Sequence, residues 1–505
     1  MSIQSPPGNR GTLPRHGAPP RPEGSRSVRA AAVLLPPLLA LALGAWRITV
    51  PSLWRDESFS GVAARLPLST LRLLLADIDA VHALYYTLLR PFAAVGQTEL
   101  MLRLPSLLAF TAAAYGVAVL GRRLAGPLAG LCGGVLYALL PMADRYAQEA
   151  RSYALVSAVA VLATWLLLQA RESASKRWYA WYAASLALLG WLHLYALLLV
   201  AAHAVAVGLS RPRRLTPWLA AVAAAGVAIL PLAVVASGQR EAQLFWLKPP
   251  SLAELAQLPG EIAGGPAAAL LLVALAVWGA WCSRGTPVAT AWAVLPVILS
   301  FLISQVYPVY DPRYVLFVVP ALALLAGIGV SGLATAVGGL VGGLVSGAVS
   351  RAAGTAGRAS WGHVIAPAVV VVLMAALTAP AQAAIRLPDS RPDDLRSLAV
   401  TLSADRRPGD AVLFVPRRFR MFVSVYGEPY RHLTDLTSAP GAYEPRTAAQ
   451  FDEAAEGVKR IWLVSPRLSA RYLGDPRLQA LRRAFVVAGP TRTFGSIRLT
   501  PYTPR

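Results

Sequence analysis

Residues 314–335 read YVLFVVPALALLAGIGVSGLAT, with Asp311-Pro312-Arg313 immediately before them. No charge interrupts the stretch. As a helix rising ~1.5 Å per residue it reaches ~33 Å, enough to cross the ~30 Å hydrocarbon core of a bilayer. A helix apolar on every side has no face to offer water, so the stretch predicts a membrane span. Its charged residues stand at one end, where a bilayer meets solvent.

The pattern recurs along the chain. Of 505 residues, 56% are hydrophobic and 14% charged, and mean hydropathy is +0.52. A soluble chain would carry about a quarter charged residues. Apolar stretches lie near 30–49, 103–120, 126–142, 152–170, 179–192, 194–209, 217–236, 266–283, 288–306, 314–335 and 361–382. The expected fold class is therefore an all-α polytopic membrane protein of about eleven transmembrane helices. The stretch 179–209 needs two crossings within 31 residues. Two short helices hinged near His193 satisfy that length.

The cationic turns set orientation. Arg122-Arg123, Arg171 with Lys176-Arg177, Arg211 with Arg213-Arg214, Arg284, and Arg351 with Arg358 alternate as the positive-inside rule requires of cytoplasmic loops. Residues 1–29 form a Pro-, Gly- and Arg-rich cytoplasmic arm, expected to be disordered. Residues 30–384 form the membrane domain. From 385 the composition turns mixed, and strands near 411–415, 460–464 and 496–499 with helices near 392–404 and 447–457 predict a small extracytoplasmic α/β domain to residue 505.

A net charge of +22 raises the question of nucleic acid. The basic residues cluster between apolar stretches, and no zinc finger or basic helix accompanies them, so no nucleic-acid partner is expected. The two cysteines, Cys132 and Cys282, lie in or beside apolar helices and imply no disulfide framework.

This topology places eleven of the thirteen acidic residues before position 385 on the outer side. Glu241, Glu254 and Glu261 read as a solvated loop. Asp56-Glu57 differs: it follows the first span directly, flanked by Trp54 and Phe59. A general base or a metal ligand facing a lipid-borne substrate fits such a pair. In Arg145-Tyr-Ala-Gln148-Glu149-Ala-Arg151-Ser-Tyr153, helical spacing puts Arg145 four residues before Glu149. An ordinary intrahelical ion pair explains that spacing; an arginine held by a carboxylate and aimed at a phosphate explains it too. Asp311-Pro312-Arg313-Tyr314 repeats the arrangement at the head of an apolar helix, whose N-terminus favours an anion. Lys248 is a weaker cation on the same side. His82 and His193 are the outer-face histidines, and neither carries a metal-site spacing such as HExxH.

Taken in order, Asp56-Glu57, His82-Ala-Leu-Tyr85-Tyr86, Glu99 with Leu102-Arg-Leu-Pro-Ser106, Gln148-Glu-Ala-Arg-Ser-Tyr153 and Asp311-Pro-Arg-Tyr314 resemble the family-39 glycosyltransferases of the GT-C superfamily. Protein O-mannosyltransferases and lipid A aminoarabinose transferases are relatives of that family. The resemblance covers residues 30 to about 330, and the C-terminal domain only loosely. One departure stands out: bacterial members often have His-Pro where this chain has His82-Ala83.

The resemblance implies inverting transfer of a sugar from a polyprenyl-phosphate donor to an acceptor hydroxyl at the extracytoplasmic face. Asp56 and Glu57 are then the catalytic candidates. His82, Tyr85, Arg145, Glu149, Arg151, Asp311, Arg313 and Tyr314 are the substrate-binding candidates, with Arg151 and Arg313 on the lipid phosphate. Glu57 and His82 could contribute to a divalent-metal site, so the cofactor is open. Mannose is the sugar the resemblance suggests first; arabinose, galactose or an amino sugar would leave similar motifs. The acceptor could be a protein, a glycan or a lipid. A multi-pass transporter or a flippase of a lipid-linked sugar is the rival from another class, and an inactive scaffold is a second.

Overall fold

The computed structural model describes residues 26–173, 175–209, 215–244, 246–282, 287–348, 358–439 and 444–505. The basic arm up to residue 25, and the turns at Arg211, Arg213, Arg214, Arg284 and Arg351, lie outside the described residues. Arg26–Ala45 is already helix α1, so the first helix starts four residues before the expected span. The chain then runs through α2 (Arg55–Arg65), α3 (Leu68–Asp77), α4 (Ala83–Val95), α5 (Glu99–Ala125), α6 (Pro127–Leu139), α7 (Pro141–Ala147) and α8 (Tyr153–Ser173). There follow α9 (Lys176–Leu192), α10 (Leu199–Gly208), α11 (Leu215–Leu244), α12 (Leu252–Ala263), α13 (Pro266–Cys282), α14 (Pro287–Val306), α15 (Val319–Ala348) and α16 (Arg358–Ala384).

All eleven expected apolar stretches are helical, but not all have spanning length. Among the described residues, α5, α8, α11, α14, α16 and the unit Pro312–Gly339 are each long and apolar enough to cross a membrane. Two bent pairs, α6 with α7 at 66° and α12 with α13 at 92°, bring the number to eight. The remaining stretches give two shorter apolar helices, Ala32–Ala45 within α1 and Leu194–Gly208, and the 17-residue α9. The hairpin breaks at His193, where α9 ends and a 3-10 turn, Leu194–Leu198, leads into α10. This is a multi-pass membrane protein.

Helix α15 sits at the centre, packed on α5, α6, α13 and α16. Lipid tails are as apolar as leucine, so burial alone does not drive such helices together, and close backbone approach must. A β-carbon at Gly279 of α13 would collide with the Leu325 carbonyl, and one at Gly329 of α15 with the Leu275 carbonyl. The two glycines let these helices meet backbone to backbone.

The segments expected as outer loops are largely helical. Residues 55–95 fold into α2, α3 and α4, which bury Tyr85, Tyr86, Leu89 and Leu102 between them. The loop expected to carry Glu241, Glu254 and Glu261 contains α12. Glu254 is not merely solvated: its carboxylate accepts from the Ser251 N–H at 2.6 Å and completes a capping box.

After α16, α17 (Leu395–Asp405), α18 (Ala448–Ala454), α19 (Ala470–Leu473) and α20 (Pro476–Ala484) surround a six-stranded sheet. Its strands are β1 (Asp410–Phe414), β2 (Thr434–Asp435), β3 (Arg460–Pro466), β4 (Phe485–Val487), β5 (Arg492–Phe494) and β6 (Ile497–Pro504). The order is β2-β1-β3-β6-β4, with β5 also on β6; β1 is parallel to β2 and β3, while β6 runs antiparallel. Alternation along β1 explains the layers. Val412 and Phe414 pack with Leu398 and Leu402 of α17, whereas Ala411 and Leu413 pack with Phe451 of α18 and Leu481 of α20.

This domain is bolted to one end of the membrane domain. Arg55 forms a forked pair with Asp393, 2.8 Å in each arm, and also donates to Ser496. Arg396 donates to the carbonyls of Thr49 and Val50 and pairs with Glu99. Tyr426 accepts from the Leu53 N–H at 3.0 Å and donates to Glu99 at 2.6 Å. Below them, Arg386 pairs with Asp144 in the interior.

Candidate functional site

Asp56 and Glu57 stand in the first turn of α2, where the helix dipole favours carboxylates. Consecutive helical side chains diverge by about 100°, so the two carboxylates serve different surroundings. Asp56 is 27% exposed in its side chain and faces Arg313, Oδ2 to Nη1 3.6 Å. Glu57 points inward. It takes a forked pair from Arg103, 2.8 Å from both Nε and Nη2, and also accepts from the Ala150 N–H at 2.9 Å. Arg103 spends its remaining donors on the carbonyls of Ile48, Pro51 and Ser52. Burial works to raise Glu57, but the Arg103 guanidinium outweighs it and holds the carboxyl below the ordinary carboxylate range.

Arg151 occupies a turn rather than a helix. The expected continuous helix over 145–153 is broken: α7 stops at Ala147, and α8 starts at Tyr153. The turn is held by Glu57 at Ala150 and by Ser106, which donates to the Arg151 carbonyl at 3.0 Å. The Arg151 guanidinium reaches His82 Nε2 at 2.8 Å and Ser60 Oγ at 3.4 Å. Its Nε is buried with no partner among the described residues. Burial, and then Arg151 itself, hold His82 well below its ordinary value. An arginine can only donate, so His82 Nε2 accepts and the ring proton sits on Nδ1, which is buried and unpartnered among the described residues. Asp79 accepts from Tyr86 at 2.9 Å and lies within electrostatic reach of Arg151 and Asp56; burial raises it above the ordinary aspartate value.

Arg313 approaches from the opposite wall. Asp311 caps the 3-10 turn Pro312–Val318, accepting from the Arg313 N–H at 3.1 Å, and its carboxylate is also 3.3 Å from Arg313 Nε. The guanidinium lies over the rings of Tyr314, Trp246 and Tyr153, 5.4, 5.5 and 6.0 Å from their centroids. Two carboxylates, two arginines and two histidines thus converge from α2, the turn after α7, the break after α9, the start of α4 and the approach to α15.

The structure brings Asp56, His82, Arg151, Asp311, Arg313 and Tyr314 together. It separates the other candidates. Glu57 is committed to Arg103 on the far side of α2, which removes it from the reacting face. Tyr85 is 1% exposed, enclosed by Leu53, Tyr86 and Leu89. Arg145 and Glu149 pair with each other. Arg145 lines a cavity of about 340 Å³ that Tyr146, Glu261 and Asp311 also line. Lys248 is exposed on the loop before α12. Among the described residues, no group of three or more His, Cys, Asp or Glu is placed to hold a metal ion. The proposed metal contributors, Glu57 and His82, have each spent an oxygen or nitrogen on an arginine.

Sequence reasoning missed the mounting of the site. Arg103 stood inside a recognised motif with no role attached. Asp393 and Tyr426 gave no signal, because their partners Arg55 and Glu99 lie some 330 positions away.

A bundle of apolar helices that carries this charged cluster at one end, beneath a small α/β domain, is a fold shared with solved structures. Two solved structures of ArnT from Cupriavidus metallidurans are similar to it, each covering 94% of this chain and 98% of that chain at 16% identity. The apo structure gives a TM-score of 0.57, and the one bound to undecaprenyl phosphate 0.56. No protein-family model matches the chain, and no curated protein matches it in sequence.

Proposed function

We propose that the chain transfers a sugar from a polyprenyl-phosphate donor to an acceptor hydroxyl at the extracytoplasmic face of the membrane. The observation that carries the reading is the facing of the partly exposed Asp56 carboxylate by Arg313, with Arg151 beside it and its Nε unspent. Asp56 takes the acceptor proton as the acceptor oxygen attacks the anomeric carbon. The bond from that carbon to the phosphate oxygen breaks on the opposite face, inverting the centre, and the electron pair leaves with the polyprenyl phosphate. Charge grows on the departing oxygen, where Arg151 and Arg313 are already placed. The undecaprenyl phosphate bound by ArnT supports the lipid class of the donor.

Incubation of the purified protein with polyprenyl-phosphate sugars of several kinds, followed by release of polyprenyl phosphate, tests the reading. Acceptor-dependent release supports it. Absence of transfer with every donor, together with movement of a lipid-linked sugar between leaflets in proteoliposomes, would instead establish the flippase. The broken hairpin at His193 suits a transporter, but the charged groups gather at helix ends rather than mid-membrane, which favours the transferase.

Orientation follows from the same reading, with the N-terminus cytoplasmic and the α/β domain outside. In a background with Cys132 and Cys282 replaced by alanine, Ala488→Cys should label with an impermeant maleimide in sealed right-side-out vesicles. Ser173→Cys should label only after permeabilisation; both positions are exposed. The opposite pattern would invert the topology.

A further inference from the structure

His193 has no role in the reaction described above. It lies at the break between α9 and the following 3-10 turn, in extended backbone (φ −166°, ψ 105°). Its ring packs against Tyr314 and Tyr153, with centroids 5.1 and 5.9 Å away. Those two rings also carry the Arg313 guanidinium. The imidazole therefore shares a wall with one arginine, and it lies within electrostatic reach of both Arg151 and Arg313. Burial, and then those two cations, push it down to about 4, so it is neutral near pH 7. Its Nδ1 is buried and meets no partner among the described residues.

Buried polar atoms are rarely left unpaired, and an unpaired imidazole nitrogen within electrostatic reach of two permanent cations is well placed for an anion. A neutral imidazole offers one N–H donor and one acceptor nitrogen. It can bond a phosphate oxygen without adding a third positive charge to a site that must later release a charged product.

We infer that His193 is a further ligand of the donor phosphate, a neutral imidazole donating a hydrogen bond to an oxygen held between Arg151 and Arg313. The inference rests on the polyprenyl-phosphate reading. Its bland competitor is a ring that merely completes the aromatic wall behind Arg313. Two substitutions separate them: His193→Phe keeps the ring and removes the N–H, while His193→Gln keeps an N–H and removes the ring.

The experiment measures binding of undecaprenyl phosphate to the full-length protein in detergent, with thermal unfolding of each variant alongside. His193→Phe should weaken binding roughly 10–100-fold, the range for one hydrogen bond to a charged group. His193→Gln should stay much closer to the wild type. Unchanged affinity in His193→Phe, or equal losses in both variants, would overturn the inference while leaving the transferase reading intact. Should His193→Phe fail to fold, His193→Leu removes the donor at smaller volume, and the same two outcomes apply. Wild-type protein that does not bind the lipid phosphate would sink both readings together.

Discussion

Asp56→Asn should lower kcat for sugar transfer by about 10²–10⁴-fold, the usual contribution of a positioned general base. The substitution is nearly isosteric, and the side chain is partly exposed; among the described residues it makes one long ion-pair contact, 3.6 Å to Arg313. Arg313 keeps Asp311 as its other partner, so donor binding should fall far less than turnover. Steady-state assays with a polyprenyl-phosphate donor read both quantities, and the thermal midpoint should stay near that of the wild type. Turnover within twofold of the wild type would remove Asp56 from the reaction. A parallel loss of lipid-phosphate affinity and turnover would instead make it an organiser of Arg313.

Glu57→Gln should act on stability instead. Both members of the Glu57–Arg103 pair are fully buried, and removing one partner of such a pair typically costs about 3–5 kcal/mol, because the other charge is left uncompensated. Unfolding of the detergent-solubilised protein measures it. Glu57→Gln combined with Arg103→Met should recover part of the loss, since the stranded cation is then gone. A single variant as stable as the wild type would show that the pair holds nothing together. Acid should reproduce the effect. The folded Glu57 carboxyl is held below its ordinary value, so the stabilisation is fully present above the ordinary carboxylate range and is lost as pH falls through the depressed value.

The membrane architecture was legible because hydropathy and cation placement are local signals. Each of the eleven apolar stretches is helical, and the hinge at His193 followed from length alone. What hydropathy could not reveal was helix between spans: α2, α3, α4 and α12, of 11, 10, 13 and 12 residues, are too short to register as spans. In the C-terminal domain the buried strands β1 and β3 were readable from apolar runs. Strands β2, β4 and β5, of two to three residues, are too short to leave a period.

The site was readable in its residue types and less so in its directions. Arg151 and Arg313 stood out as cations expected on the outer side, against the positive-inside rule, and they share one cluster with Asp311. Glu57 looked equivalent to Asp56 because the two are adjacent; only the turn of α2 shows that one faces the cluster and the other faces Arg103. Arg145 and Glu149 took the plainer of their two expected forms, an ion pair. Tyr85 shared a motif with His82, but α4 buries it, with Arg151 within electrostatic reach of its hydroxyl.

The forked pair between Arg55 and Asp393 has a consequence for how the protein comes into being. The helix carrying Asp56 leaves the ribosome well before Asp393 and Ser496, its partners 338 and 441 positions further along the chain, and before Arg396 and Tyr426, which hold the segment ahead of it. Until the sheet domain is made, α2 is held by Arg103 and Ala150 but lacks its contacts to Asp393 and Ser496. A nascent or truncated chain can thus occupy the bilayer with every span in place and still lack a finished reaction centre.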